Sequence, residues 1–119
     1  GGDLRGDGAG ALLGSFATAL GDVDADGLDD VLIGAPLGST TTLLQHGVAG
    51  IYRGRDAAAW TARPDTPSIR LTGSAASDWF GVNGAGRLTV AGRPAVAVSA
   101  ERADFGASDV GAVYVFRGF

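Results

Sequence analysis

Between Gly21 and Asp30 the chain places four aspartates on one loop, with Asp22, Asp24, Asp26 and Asp30 at loop positions 1, 3, 5 and 9 and Gly27 at position 6. Carboxylates this dense repel one another, and a cation makes the arrangement favourable. A hard divalent ion such as Ca²⁺ takes roughly six to eight oxygens in a flexible shell. Alternating Asp side chains, a main-chain carbonyl near position 7 and a glycine at the sharp turn supply that shell. The plainer alternative is a solvated, Asp-rich turn, which does not account for this spacing together with Gly27. The expected ligands are the side chains of Asp22, Asp24, Asp26 and Asp30 and the main-chain oxygen of Leu28, around one Ca²⁺. Asp29 is expected to face solvent. The ion's expected role is structural, joining the two strands that flank the loop.

Other residues offer less. His46 is the only histidine and cysteine is absent, so Ser–His–Asp and Cys–His engines have few candidates. Ser15, Ser39 and Ser68 lack the context of an activated nucleophile. Glu101 is the only glutamate, and no motif pairs it with Asp104 as a glycosidase dyad. No catalytic residue is expected, and the chain is read as a non-enzyme. Trp60 and Trp79 could line a ligand platform, but packing is the expected role, with Trp79 beside Phe80 in a core and Trp60 on a loop. Gly84-x-Gly86 opens no helix and is not expected to hold phosphate. Arg5-Gly6-Asp7 matches a short adhesion tripeptide, but the repeat aligns it with the turn at Leu71–Ser74, which explains Gly6 and leaves Arg5 and Asp7 as variable flanks, so a chance match is the expected reading.

The elements that position the acidic loop follow from composition and self-comparison. A chain of 119 residues is one domain in size. Its 21 glycines, without a triplet period, point to many tight turns and short strands. The net charge is −4, and five of the thirteen acidic residues fall between Asp22 and Asp30, so bound calcium would offset much of the excess. All nine basic residues are arginines, scattered rather than clustered, which argues against a nucleic-acid partner. No apolar run is long enough for a membrane span. No signal peptide is visible, and the Gly1-Gly2 start is expected of a chain cut from a longer or processed precursor.

The chain also repeats itself. Leu4-x-Gly6 and Leu13-Gly14 match Leu71-x-Gly73 and Phe80-Gly81 at an offset of 67. Val31–Ala35 matches Val96–Ala100 at an offset of 65, and Gly47–Gly54 matches Gly111–Gly118 at 64. Strands are predicted near Phe16–Leu20, Asp30–Ile33, Val48–Tyr52 and Ser68–Leu71 in the first unit. In the second they fall near Val82–Thr89, Ala95–Ser99 and Ala112–Phe116. The second unit has lost the acidic loop, since Thr89–Pro94 contains no carboxylate and reads as a plain hairpin turn. Gly38–His46 and Asp56–Thr66 read as loops.

Asp22-x-Asp24-x-Asp26-Gly27-x-x-Asp30 followed by Val31-Leu32-Ile33-Gly34-Ala35-Pro36, with Leu13-Gly14 and Phe80-Gly81 ahead of each unit, resembles the FG-GAP repeat, the blade unit of integrin α-chain-type β-propellers. Leu13 replaces the aromatic of the first FG pair, and Gly34-Ala35-Pro36 has decayed to Ser99-Ala100-Glu101 in the second copy. An EF-hand is set aside because position 12 is Ile33 rather than a bidentate Glu. A dockerin-like module is set aside because Val31–Pro36 is a poor helix.

The resemblance implies an all-β fold of four-stranded antiparallel blades, here two FG-GAP-type repeats of an incomplete, larger or oligomeric propeller. Residues 1–12 would be the last strand and turn of a preceding or shared blade, 13–73 the first blade with its calcium loop, and 74–119 the second with a degenerate loop. Leu4–Gly6 would then be a last strand able to complete the second blade. The implied function is a calcium-stabilised extracellular or cell-surface module, secreted and adhesion-like. It would bind a protein or glycan ligand through loops such as Gly38–His46 and Asp56–Thr66, and would associate with further blades or copies. The alternative is the non-catalytic propeller portion of a secreted hydrolase, such as a phospholipase or a polysaccharide-acting enzyme.

Overall fold

The computed structural model describes residues 4–5, 9–40, 42–56 and 66–119. Seven strands and no helix occur among them: β1 (Ala17–Gly21), β2 (Asp30–Ala35), β3 (Val48–Tyr52), β4 (Ile69–Thr72), β5 (Phe80–Val90), β6 (Arg93–Ala100) and β7 (Ala112–Arg117). They form two antiparallel sheets, the first in the order β1-β2-β3-β4 and the second in the order β5-β6-β7. Each sheet is a meander of neighbouring strands, so every pairing is made across a single connection. All seven predicted strands are present, each end lying within two residues of its expected place; the largest shifts are the early starts of β5 and β6 and the later end of β2.

Burial follows from the strand sequences. The apolar run of β2 leaves only Val31 partly accessible, as expected of a strand covered on both faces. β7 alternates instead: Tyr114 and Phe116 pack on the core while Val113 and Val115 face outward. The core lies between the sheets, where Leu20, Leu32, Ala49 and Ile51 of the first meet Phe80, Val96, Val98 and Ala100 of the second. Burying each of these larger side chains stabilises the fold by roughly 1.5–3 kcal/mol. The Phe80 ring is held edge-on by Tyr114 and Phe116, at centroid distances of 5.7 and 5.9 Å. Gly34 is needed because a Cβ there would run into the Phe16 ring and the Gly81 carbonyl, so the two sheets approach closely at this point.

The repeat extends to single hydrogen bonds. Leu37 N–H donates to Ala11 O and Arg102 N–H to Asp78 O, both at 3.2 Å. Gln45 N–H donates to Ser39 Oγ (2.8 Å) where Asp109 N–H donates to Asp104 Oδ1 (2.7 Å). The units differ in strand number: the expected four strands are present in the first sheet, whereas the second has three. In the first unit the edge strand β4 pairs with β3, and among the described residues no strand pairs with the outer side of β7. Leu4 and Arg5 belong to no strand, and Gly6, expected to continue them, lies outside the described residues. Trp79 is not in the core as expected. Trp79 stands just before β5 with a left-handed backbone, φ +56°, so Phe80 enters the core while Trp79 lies under the Arg102 guanidinium, 4.9 Å from its ring centre.

Candidate metal centre

The acidic loop joins β1 to β2, and its conformation is set largely by its own aspartates. Asp22 Oδ1 accepts from Asp26 N–H (3.0 Å) and Oδ2 from Gly27 N–H (2.8 Å). Asp26 Oδ1 accepts from Leu28 N–H (2.8 Å), the local turn that Asp favours two residues back. Gly27 has φ +90°, where a side chain would be strained. Ala25 adopts φ +64° without that excuse, a cost met by the bonds on either side. The Gly27 amide holds the Asp22 carboxyl below its ordinary range, outweighing desolvation, with a lesser contribution from the Asp26 amide.

Asp30 begins β2 and is fully buried. Its Oδ2 accepts from Val23 N–H (2.9 Å) and its Oδ1 from Gly54 N–H (2.7 Å). One side chain thus ties the start of the loop to the end of β3, and Gly54 has no room for a Cβ because the Leu28–Asp29 backbone lies against it. Asp24 is paired through Oδ2 with Arg53 Nε at 3.1 Å, while its Oδ1 is buried and has no hydrogen-bond partner.

Carboxylate oxygens of Asp22, Asp24 and Asp30 all lie within 4.8 Å of one another. Among the described residues this is the one cluster of three metal-ligating side chains. Asp26, expected as a fourth side-chain ligand, is not in the cluster; its oxygen is turned to Leu28 N–H. Asp29 faces solvent as expected, with Arg87 of β5 3.5 Å away. The residues present fit a hard divalent cation, since the donors are all oxygens and an orphaned buried oxygen on Asp24 lacks only a positive partner. Arg53 and Gly54 were missed in the sequence. The Arg-Gly pair after Tyr52 recurs after Phe116, but nothing local to it shows that it reaches back to the loop.

The remaining candidates do not assemble into a site. His46 is buried and satisfied, its Nδ1 donating to Leu43 O at 2.9 Å. Glu101 is exposed, and Asp104 is engaged by Asp109 N–H. Asp78 is buried, and burial, then the nearby Asp104 charge, raises its carboxyl above the ordinary range. Gly6, Asp7 and Trp60 lie outside the described residues. In the second unit the loop position is a two-residue hairpin, Ala91-Gly92, with φ +51° and +75° and Val90 paired to Arg93. This is the left-handed pair that tight hairpins require.

Residues 16–50 of the chain match the family model of the FG-GAP repeat. The matched segment runs from Phe16 through the acidic loop and β2 to β3. No curated protein matches the chain.

Proposed function

We propose that the chain is a calcium-stapled, non-catalytic module of β-propeller-type blades that binds a protein or glycan ligand through its loops, in an extracellular or cell-surface setting. The observation that carries this reading is the Asp22, Asp24 and Asp30 cluster, with one buried Asp24 oxygen left for an ion. Asp22, Asp24 and Asp30 would hold Ca²⁺, joined by the Leu28 carbonyl and, with a change of rotamer, by Asp26. The ion supplies charge neutralisation and a cross-link between β1 and β2; it does no chemistry on a substrate. Free calcium in the millimolar range outside cells suits a structural site of modest affinity. The match to the FG-GAP repeat supports the blade assignment, and the described part of loop 38–46 is a candidate part of the recognition surface, whereas residues 57–65 of the other expected loop lie outside the described residues.

Thermal melting in calcium and in chelator tests the staple. An ion at about one hundred times its Kd stabilises by roughly 2.7 kcal/mol, or roughly 10–20 °C for a domain of this size. Asp24→Ala is expected to abolish most of that difference while changing the melt in chelator little. Equal losses in calcium and in chelator would refute the staple.

A further inference from the structure

The hairpin end of the second sheet gathers two cations that the described chain does not neutralise. Arg93 opens β6 and Arg117 closes β7. Arg117 pairs with Ala95 across the ladder, and Arg93 stands two residues before Ala95. Side chains two apart on a strand share a face. The arginines are therefore diagonal neighbours on one face, a separation of roughly 7–8 Å that long side chains span. Both are exposed. Among the described residues neither guanidinium makes an ion pair, a side-chain hydrogen bond or a ring contact. With Ala91 and Gly118 they line a cleft of about 360 Å³ that no carboxylate borders. That volume lies at the small end of ligand clefts, roughly 300–1,000 Å³.

The first unit shows what a guanidinium at this place does. Arg53, the residue after β3, is the counterpart of Arg117 at the repeat offset of 64. Its Nε meets Asp24 Oδ2 at 3.1 Å, and that carboxylate comes from the long loop between β1 and β2. In the second unit the loop is reduced to Ala91-Gly92. The arginine is kept and its carboxylate is gone. Arg93 adds a second positive charge two residues before Ala95, where Leu28 stands before Asp30. Like charges side by side on a sheet repel one another, and an anion between them relieves that repulsion. The planar guanidinium fork matches a carboxylate through two parallel hydrogen bonds.

We propose that this cleft binds a small organic carboxylate, with Arg93 and Arg117 as its two cationic contacts. The ligand's carboxylate takes the part that Asp24 plays against Arg53, and the rest of the ligand occupies the space between Ala91 and Gly118. That space is open, since a Cβ on Gly118 would meet nothing within 4 Å. The carboxylate partner of the duplicated arginine is what selects this class over phosphate. The proposal does not depend on the acidic loop holding a metal.

Titration with glucuronate in calcium-free buffer of low ionic strength, followed by NMR of the backbone amides, tests this. Saturable shifts should centre on Ala91, Arg93, Arg117 and Gly118. Glucose, which has the ring without the carboxylate, should cause none. Arg93→Gln and Arg117→Gln should each weaken glucuronate binding by roughly two- to fivefold, the range of exposed ion pairs, and the double variant should show no saturable shift. Both positions are exposed, and circular dichroism checks that the variants fold. No saturable shift with glucuronate, or undiminished binding to the double variant, would overturn the proposal. So would glucose binding as well as glucuronate, which would mean recognition without charge. Inorganic phosphate binding more tightly than glucuronate would overturn the carboxylate assignment.

Discussion

The two units carry the same hairpin with different tips. In the first, β1 and β2 are joined by an eight-residue acidic loop, Asp22 to Asp29; in the second, β5 and β6 are joined by Ala91-Gly92 alone. At the base of the tip stands Asp30 in the first unit and Ala95 in the second, both buried. The residue after β3 is Arg53, which pairs with Asp24, and its counterpart is Arg117, the last residue of β7, with no carboxylate in the opposing turn. A hairpin of this repeat therefore closes without any metal when its turn is short and its glycine supplies the left-handed backbone. The long loop requires Asp30 and its neighbours to organise it. It collects charge while doing so, and the calcium dependence proposed for it would follow from loop length rather than from a demand of the fold.

Substituting Asp30 should break this contrast most severely. Asp30→Ala gives the first unit the second unit's residue without its short turn, leaving the Val23 and Gly54 amides unmet. A loss of about 3 kcal/mol is expected, measured by urea unfolding and present in chelator as well as in calcium. A loss confined to calcium would mean that Asp30 serves the ion alone. Next comes Arg53→Gln. Removing the guanidinium frees Asp24 and takes a positive charge from the ion's surroundings, so calcium should bind up to about fivefold more tightly, within the range of an exposed ion pair. Calorimetry showing weaker binding would instead make Arg53 a support for the loop.

The smallest effect concerns the other unit. Asp78 is buried where the first unit has Ala11, and its carboxyl is raised by burial and then by Asp104. A carboxyl with a raised folded-state value binds more protons folded than unfolded. Its contribution is therefore most favourable below the unfolded value and declines as pH rises through the folded one. Asp78→Asn should raise the melting temperature at neutral pH, and the gain should vanish in acid. A variant less stable at neutral pH would show that the charged form has a partner.

Much of this was legible in the sequence because it is local. The β1–β2 loop is read from one stretch of ten residues, and the repeat from apolar strands at near-constant offset. What was not legible depends on chain segments meeting. Arg53 and Gly54 reach the loop only because β3 lies beside β2, and spacing along the loop could not show that Asp26 turns to the Leu28 amide. Trp79 sits beside the core residue Phe80 in sequence, but its left-handed backbone, which nothing in the neighbouring residues announces, turns it out under Arg102. The second sheet's open row at Val113 and Val115 was likewise hidden, because its sequence resembles that of a covered strand.

The central claim is that one loop on one unit is a metal staple. Isothermal titration of calcium into the chelator-treated chain tests it most directly. The account predicts one ion per chain, and no binding to Asp24→Ala. Two ions per chain, or undiminished binding to the variant, would contradict it.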